Sequence, residues 1–285
     1  MSSESEQDRA AWLITGCSSG IGREIALAAL TRGHRVAVTA RDPAAVEDIV
    51  AGHPGQATAL ALDVTDRDQV ARAVSETERV FGRIDVLVNN AGYGYMAAVE
   101  EGEDDEVRAM FDTNYFGVVD MIKATLPGMR RRARGHIINV SSMTGLVANP
   151  PNVYYSSSKF ALEALSEGLA KEMAPFGIRV TAIEPGAIRT DWSTRSMKES
   201  GRPIEAYAES VGARKALIKA AGSKFPGDPR RVADAVVMLS ELDDPPLHLL
   251  LGRDVFKAYR EKLSGLMESV EEWKSTTLDI DFPPD

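Results

Sequence analysis

Six short, predominantly apolar segments recur along the first 190 residues, and segments of helical period separate them. They lie at residues 11–14, 36–38, 59–62, 84–88, 137–140 and 180–183. These segments lack the polar alternation of a strand with one solvent-exposed face, so both faces of each strand must be covered. The order of elements therefore predicts a doubly wound α/β fold, in which a parallel sheet carries helices on both sides.

One helix can be delimited closely from the sequence. The four residues from Thr65 to Asp68 are typical of a helix start, and Gly82 is typical of a helix end. Between them, apolar or small side chains recur at spacings of three and four, at Val70, Ala73, Val74, Thr77, Val80 and Phe81. This spacing predicts a helix between Thr65 and Gly82.

No linker, charge block or internal repeat divides the chain before residue 190. We therefore expect one domain over residues 11–272, with a disordered N-terminus at 1–10 and a loose tail at 273–285. Residues 191–225 lose the strand–helix pattern and predict an excursion that forms a lid over the substrate. The remaining chain predicts a helix at about 229–242, a last strand at 247–251 and a C-terminal helical extension at about 254–273.

Charge and composition exclude several classes of function. The chain carries 33 Lys and Arg against 42 Asp and Glu, a formal net charge of −9, which repels nucleic-acid phosphates and anionic lipids. No apolar run approaches the ~20 residues that cross a bilayer, and residues 1–8 are acidic and polar, unlike a signal peptide. We expect a cytoplasmic protein without a nucleic-acid or membrane partner. A single Cys17 and four dispersed histidines predict neither a disulfide nor a metal site.

A glycine-rich turn at residues 15–22 follows the first strand and leads into a helical segment. Gly16, Gly20 and Gly22 permit a tight turn and a close backbone approach, and the helix N-terminus offers free N–H groups to negative charge. The turn predicts a pyrophosphate site, although such a turn alone is often just a loop. Cys17 has no neighbouring base and is interpreted as a small packing residue.

Tyr155 and Lys159 lie four residues apart at the start of a predicted helix, and hence on one face. An ammonium group near a phenol favours the ionised form, which would lower the Tyr155 pKa and make the phenol usable as a general acid or base. Ser142 follows the strand at 137–140, and the C-terminal ends of parallel strands border the ligand crevice of a doubly wound sheet. These three side chains are candidate catalytic residues.

Further motifs carry a resemblance to a known family over residues 11 to about 190. In chain order they are the turn at 15–22, Asp63, the Asn89, Asn90, Ala91, Gly92 run, the Asn114 to Gly117 run, Ser142 with Tyr155 and Lys159, and Pro185, Gly186 with Thr190. The chain resembles the short-chain dehydrogenase/reductase family. Its glycine-rich turn and long C-terminus resemble the hydroxysteroid and retinol dehydrogenase branch. The resemblance implies a Rossmann fold and hydride transfer between a nicotinamide and a carbonyl or carbinol carbon.

The resemblance also implies a role for each candidate residue. Tyr155 would give its proton to the carbonyl oxygen, and Ser142 would polarise that oxygen. Lys159 would lower the Tyr155 pKa and hydrogen-bond the nicotinamide ribose, and Asn114 would hold a water that links Lys159 to solvent. The implied cofactor-binding residues are Gly16, Ser18, Ser19, Gly20, Ile21, Gly22, Arg41, Asp63, Val64, Asn90, Ala91, Gly92, Tyr155, Lys159, Pro185, Gly186, Ile188 and Thr190.

The end of the second predicted strand indicates which dinucleotide is used. An NAD site places a carboxylate there for the ribose 2′-hydroxyl, whereas an NADP site needs a cation for the 2′-phosphate. Aligned on the family pattern, Ala40 occupies the acidic position and Arg41 follows, which favours NADP. Asp42 and the absence of a second basic residue at Ser19 count against this preference.

The substrate and the assembly are less constrained. The candidate pocket residues are bulky and suit a lipophilic ketone or secondary alcohol; they are Tyr93, Tyr95, Met96, Met143, Val147, Tyr154 and Trp192. Family members commonly pair through two helices, here about 112–132 and 155–175, which predicts a homodimer or homotetramer. A dinucleotide-binding sensor or scaffold without turnover is the alternative function. An epimerase or dehydratase would usually need a larger substrate domain than the ~95 residues after Thr190.

Overall fold

The computed structural model of the protein describes residues 9–282, without the side chains of Ser193, Thr194 and Ser223. The predicted disordered segment at 1–10 therefore falls mostly outside the described residues.

A seven-stranded sheet forms the centre of the molecule, and every neighbouring pair of strands in it is parallel. Its strands are β1 (Ala11–Ile14), β2 (Arg35–Ala40), β3 (Ala57–Ala61), β4 (Val86–Asn89), β6 (Gly135–Val140), β7 (Ile178–Pro185) and β9 (His248–Leu251). Their order in space is β3-β2-β1-β4-β6-β7-β9, so the order reverses next to β1. The predicted doubly wound α/β fold is confirmed.

Helices cover both faces of this sheet. They are α1 (Gly20–Thr31), α2 (Glu47–Gly52), α3 (Arg67–Phe81), α4 (Asp104–Phe111), α5 (Gly117–Arg132), α6 (Val153–Met173), α7 (Trp192–Arg195), α8 (Ala213–Ala221), α9 (Pro229–Ser240), α10 (Arg253–Glu272) and α11 (Lys274–Leu278). Alternate residues of β1 enter opposite cores: Trp12 and Ile14 pack with α1 and α9, while Leu13 packs with α3, α5 and α6. Both faces of the strand are thus buried, which explains its unbroken apolar sequence.

The helix expected between Thr65 and Gly82 is α3. Asp66 caps it, because its carboxylate accepts hydrogen bonds from the N–H groups of Asp68 and Gln69. Gly82 ends it at φ +79°, a left-handed conformation that favours glycine. Capping residues therefore set both ends of this helix.

The excursion at 191–225 is attached to the rest of the domain by a small second sheet. Strand β8 (Met197–Glu199) runs parallel to β5 (Gly94–Met96), a pairing that the sequence did not predict. The buried carboxylate of Glu101 also receives Lys215 Nζ at 3.1 Å. The excursion therefore includes residues held by backbone and side-chain contacts.

The C-terminal extension begins where predicted and continues further. Helix α10 is followed by the exposed helix α11, so the expectation of a wholly loose tail from residue 273 is wrong for Lys274–Leu278. The carboxylate of Asp254, at the start of α10, accepts the N–H of Ala187 at 2.7 Å. Helix α10 is thereby fixed to the loop that leaves β7. Within residues 9–282, no helix is long and apolar enough to cross a membrane.

Candidate active site

The glycine-rich turn lies where β1 passes into α1, beside the reversal of strand order. Gly16 and Gly20 have φ values of +72° and +61°, which other residues rarely adopt. Helix α1 begins at Gly20, and its N-cap Ser19 is extended and makes no side-chain capping bond. Ser18, Ser19 and Ile21 are half-buried around this helix end. The first N–H groups of α1 are thus available to an anion.

Asn90 fixes the shape of the turn from the end of β4. Its Nδ2 donates to the carbonyl oxygens of Thr15 and Gly16, at 2.8 and 3.0 Å. A Cβ on Gly22 would lie 2.2 Å from that Nδ2, so only glycine fits there. The N–H groups of Asn90 and Ala91 both donate to Thr15 Oγ1 at 2.9 Å. The structure therefore brings the turn together with the residues predicted to line the cleft.

Cys17 lies inside the turn but does not face the cleft. Its side chain is fully buried, its thiol donates to the carbonyl oxygen of Ile14, and burial raises its pKa to about 12. A thiol in this state is unreactive. The interpretation of Cys17 as a packing residue is in line with this geometry.

Arg41 and Asp42 follow β2 and are exposed. Asp42 caps the short 3-10 helix Pro43–Val46 by accepting the N–H of Ala44 at 3.0 Å. Its carboxylate is therefore engaged in a turn. At the end of β3, Asp63 accepts the N–H and hydroxyl of Thr65 at 3.0 and 2.7 Å, which orients its carboxylate. The next residue, Val64, is buried against Gly117.

The loop after β7 reaches the glycine-rich turn. Thr190 lies 3.7 Å from the position of a Cβ on Gly20, and its hydroxyl accepts the N–H of Trp192. At the start of this loop, a Cβ on Gly186 would lie 2.0 Å from Asp254 Oδ1. Pro185 pairs in register with Leu251, and Ile188 forms an isolated bridge with Gly227. Thr190 thus borders the glycine-rich turn, whereas the contacts of Pro185, Gly186 and Ile188 connect the loop to β9, α10 and Gly227.

Ser142 and Tyr155 meet in the crevice. Ser142 Oγ accepts the N–H and the hydroxyl of Thr144 at 3.2 and 3.1 Å, which leaves its proton to be donated. Burial raises the pKa of Tyr155 to about 12, and the hydrogen bond from Ser142 acts in the opposite direction. At neutral pH the phenol is protonated. Thr144 orients the Ser142 hydroxyl, and the sequence motifs do not include it.

Lys159 is buried beside Tyr155, with Nζ 5.8 Å from the centre of the phenol ring. Its Nζ donates to the carbonyl oxygen of Val140 at 2.8 Å. Burial lowers the pKa of Lys159 to about 8, against the attraction of Glu163. Burial is the largest influence on the phenol in this arrangement, and a lowering of the Tyr155 pKa by Lys159 stays a prediction.

Asn114 is fully buried in a π-helical turn, Asp112–Phe116, between α4 and α5. Its Oδ1 accepts the N–H of Tyr93, and its Nδ2 donates to the carbonyl oxygen of Tyr93 and to Ser158 Oγ. Both amide donors are used by protein groups. The amide therefore fixes the Tyr93 peptide, while its Oδ1 keeps a second lone pair, so the holding of a water by Asn114 stays a prediction.

The predicted pocket residues separate into two groups. Tyr95 and Met96 are buried in the core. Tyr154 is half-buried, and its hydroxyl donates to the carbonyl oxygen of Val99. Trp192 packs on Tyr155 with ring centres 5.4 Å apart. The remaining candidates are half-buried; they are Tyr93, Met143 and Val147.

Residues 10–201 match the protein family described as short chain dehydrogenase. Oxidoreductase BOA17 of Botryotinia fuckeliana is 41% identical over 269 residues, which cover 94% of this chain and 97% of that protein. A 3-ketodihydrosphingosine reductase of Bacteroides thetaiotaomicron is 37% identical over 262 residues, 92% of this chain and 94% of that protein. Retinol dehydrogenase 8 of Homo sapiens is 39% identical over 195 residues, 66% of this chain and 61% of that protein.

Solved structures show the same likeness. A short-chain dehydrogenase from Streptomyces avermitilis has a TM-score of 0.91 and 40% identity, covering 96% of this chain and all of that one (100%). ElxO, solved with NADP bound, has a TM-score of 0.72 and 29% identity, with coverages of 85% and 97%. A Burkholderia phymatum protein in complex with NAD has a TM-score of 0.80 at 22% identity, with coverages of 92% and 95%, a likeness of fold. The chain therefore belongs to the short-chain dehydrogenase/reductase family, oxidoreductases that act on CH–OH and C=O groups with a nicotinamide dinucleotide.

Proposed function

We propose that the protein is an NADP(H)-dependent oxidoreductase that transfers hydride between the nicotinamide and a lipophilic ketone or secondary alcohol. The observation that carries this proposal is the buried phenol of Tyr155, which lies 5.8 Å from Lys159 Nζ at its ring centre and whose pKa Ser142 lowers. This group stands at the edge where the glycine-rich turn and the loop after β7 form a crevice. A proton donor and a dinucleotide cradle are thus combined in one place.

The residues present fit a dinucleotide. A cradle without side chains is formed by Gly16, Gly20 and Gly22, which would hold the pyrophosphate at the start of α1. Asp63 would hold the adenine end, and the loop from Pro185 to Thr190 would hold the nicotinamide end. When bound, the cofactor supplies or receives the hydride.

The protein itself has to move one proton and position one oxygen. In reduction, Tyr155 gives its phenolic proton to the carbonyl oxygen, and Ser142 donates a hydrogen bond to the same oxygen. A phenol that is protonated at neutral pH is in the correct state for this step. Lys159 places a positive charge near the phenol and stabilises the phenolate that remains.

The preference for NADP rests on the end of β2. Arg41 is exposed at the end of β2, which pairs with the strand that leads into the glycine-rich turn. The carboxylate of Asp42 accepts a hydrogen bond from the N–H of Ala44. The carboxylate that follows Arg41 is therefore directed into a turn. A guanidinium group can bind a phosphate at two points. The relative ElxO was solved with NADP, which supports this choice.

The substrate class rests on the aromatic boundary of the crevice. Trp192 covers one side of Tyr155, and half-buried Tyr93 packs against the same hydrophobic cluster, which suits a lipophilic ketone. Two relatives are named as a 3-ketodihydrosphingosine reductase and a retinol dehydrogenase. The test is absorbance of the reduced nicotinamide with NADP and NAD and a panel of ketones and alcohols. Cofactor binding without turnover of any substrate would instead support a sensor or scaffold.

The excursion at 191–225 is proposed to act as a lid over the substrate. It leaves β7 next to Thr190 and carries Trp192 onto Tyr155. We expect hydrogen exchange of its amides to slow when cofactor and a substrate analogue are added together, as measured by mass spectrometry. Helix α3, which lies outside the crevice, serves as the internal control. Unchanged exchange in 191–225 would show that the segment is not a lid.

A homodimer or homotetramer is proposed, paired through α5 and α6. Three phenylalanines in or beside these helices are 38–52% exposed, as expected for a covered surface; they are Phe116, Phe160 and Phe176. Light scattering at micromolar concentration should give twice or four times the chain mass of 30.8 kDa. A monomeric mass would contradict this assembly.

A further inference from the structure

A cluster of two carboxylates and one imidazole lies one helical turn from Lys159. Its members are Glu163 on α6, Glu184 on β7 and His248 on β9, and we call them the carboxylate–histidine cluster. His248 Nδ1 lies 2.9 Å from Glu184 Oε1 and 3.4 Å from Glu163 Oε2. One oxygen or nitrogen of each residue lies within 4.8 Å of the other two. Three separate elements thus bring these groups together.

The two carboxylates are buried and incompletely paired. Glu163 is 5% exposed and Glu184 is 0% exposed, whereas His248 is partly exposed at the sheet edge. Among residues 9–282, both oxygens of Glu163 and one oxygen of Glu184 lack an aligned hydrogen-bond donor. Two ionised carboxylates at this distance repel strongly in a buried site, so the pair holds a shared proton.

The protonation of this pair changes near neutral pH. Burial raises the pKa of Glu163 to about 7, and the repulsion by Glu184 adds to that effect. Burial also raises the pKa of Glu184 to about 8. The imidazole of His248 acts in the opposite direction on Glu163. The cluster can therefore gain or lose a proton near neutral pH.

The cluster is electrostatically connected to Lys159. The carboxylate of Glu163 is the group that favours the ammonium form of Lys159 against burial. Lys159 and Glu163 lie four residues apart on α6, and hence on one face of the helix. An added Cβ on Gly145 would lie 3.1 Å from Glu163 Oε1 and 3.1 Å from Lys159 Cβ, so the carboxylate lies beside the base of the lysine side chain. Ser141 Oγ lies 2.7 Å from the same point. Both side chains are buried, so bulk water screens the attraction between their charges only weakly.

We propose that the carboxylate–histidine cluster is a proton-exchange site that sets the charge of Lys159 from outside the crevice. A proton leaves the Glu163–Glu184 pair through the imidazole of His248 to water at the sheet edge, and the carboxylate that remains holds Lys159 as an ammonium. Glu163, Glu184 and His248 are thus positioning residues. Their effect on turnover rests on the proposed role of Lys159, but their effect on the Lys159 charge does not.

Other polar groups border the cluster, and the side chain of Ser141 lowers the pKa of Glu163. Glu167 Oε1 lies 3.7 Å from His248 Nε2 and is half exposed, which gives the imidazole an acceptor on its solvent side. From α10, the Tyr259 phenol faces the three glutamates, and its pKa is raised by burial and by their charges. Lys262 Nζ donates to the carbonyl oxygen of Leu146. Lys159, on the same helix, is therefore the cation whose charged form Glu163 stabilises.

The test is the titration of Lys159 in the cofactor-free protein. Lysine is labelled with 13C, the Cε resonance is followed with pH by NMR, and Lys159→Arg identifies the signal. We expect a midpoint at about 8 in the native protein. In Glu163→Gln the midpoint should be about one pH unit lower, because an opposite charge is lost. Glu163→Asp should restore most of it. Glu172→Gln, an exposed change on the same helix, should leave it unchanged.

A second variant tests the proposal even if the substitution of buried Glu163 prevents folding. His248→Leu changes a partly exposed edge residue and removes the imidazole nitrogen that lies 2.9 Å from Glu184 Oε1. The pair should then hold its proton to higher pH, and the Lys159 midpoint should fall by a smaller amount. If the midpoint is unchanged in both variants, the proposal is wrong, although Tyr155 and Lys159 can still be catalytic. A divalent ion retained at one equivalent by the native protein and lost in Glu163→Gln would also overturn it, because a metal would then neutralise the carboxylates.

Discussion

Replacing Tyr155 by phenylalanine should lower turnover by at least the ~10²-fold that a general acid typically contributes. The substitution removes one oxygen atom and keeps the ring that packs against Trp192, so the crevice retains its shape. In its absence the carbonyl oxygen keeps the hydrogen bond from Ser142 but loses the acid that transfers a proton to it. Cofactor affinity should stay nearly native. The measurement is kcat at saturating cofactor, together with the Kd of the reduced cofactor from fluorescence.

The matched control is Tyr154→Phe, one residue earlier on α6. Its hydroxyl donates to the carbonyl oxygen of Val99 and not into the crevice, so turnover should stay within a few-fold of native. Lys159→Ala should behave differently from both variants and weaken cofactor binding as well as turnover. If Tyr155→Phe keeps turnover within a few-fold of native, Tyr155 is not the acid.

Replacing Arg41 by alanine should lower kcat/KM with NADP roughly ten- to hundred-fold, since a charge-assisted contact to the 2′-phosphate contributes about 1.5–3 kcal/mol. Activity with NAD, which lacks this phosphate, should change little. Arg41 is exposed at the end of β2, and its loss leaves the core intact. The measurement is kcat/KM with both cofactors before and after the substitution.

The control for lost surface charge is Arg72→Ala, an exposed change on α3. It removes the same charge from the protein without touching β2, so the ratio of kcat/KM for the two cofactors should stay native. Two results would refute the assignment of Arg41: a native preference for NAD, or an NADP preference that persists in Arg41→Ala.

The main sheet could be predicted because strands that are buried on both faces have continuous apolar sequences. Trp12 and Leu13 point to opposite cores, and both must be apolar. The pairing of β5 with β8 has no comparable pattern in the sequence. Gly94–Met96 is only three residues long, and its partner lies about a hundred residues later, so neither strand shows a period. Tyr95 and Met96 were consequently assigned to the pocket although they lie in the core.

Motif spacing predicted which candidate catalytic residues lie together, but it did not predict their surroundings. The hydrogen bonds of Asn114 depend on a π-helical turn, which brings its amide to Tyr93 and Ser158. From the sequence, Glu163 is expected on the solvent-exposed face of an amphipathic helix, because charged residues usually occupy that face. Glu184 did carry a signal, because it is a charged residue inside a strand that is otherwise covered on both sides. Recognising its partner His248 required the position of β9 beside β7.

The packing of Trp192 on Tyr155 also gives the active site an intrinsic optical probe. The chain has three tryptophans, of which Trp12 is sealed in the core and Trp273 is exposed at the end of α10. Reduced nicotinamide absorbs where indole emits, so a cofactor in the crevice would quench Trp192 by energy transfer far more than the distant Trp273. Trp273→Phe would remove the solvent-exposed background. Fluorescence of the remaining indoles would then report occupancy of the crevice during a reaction, without any attached dye.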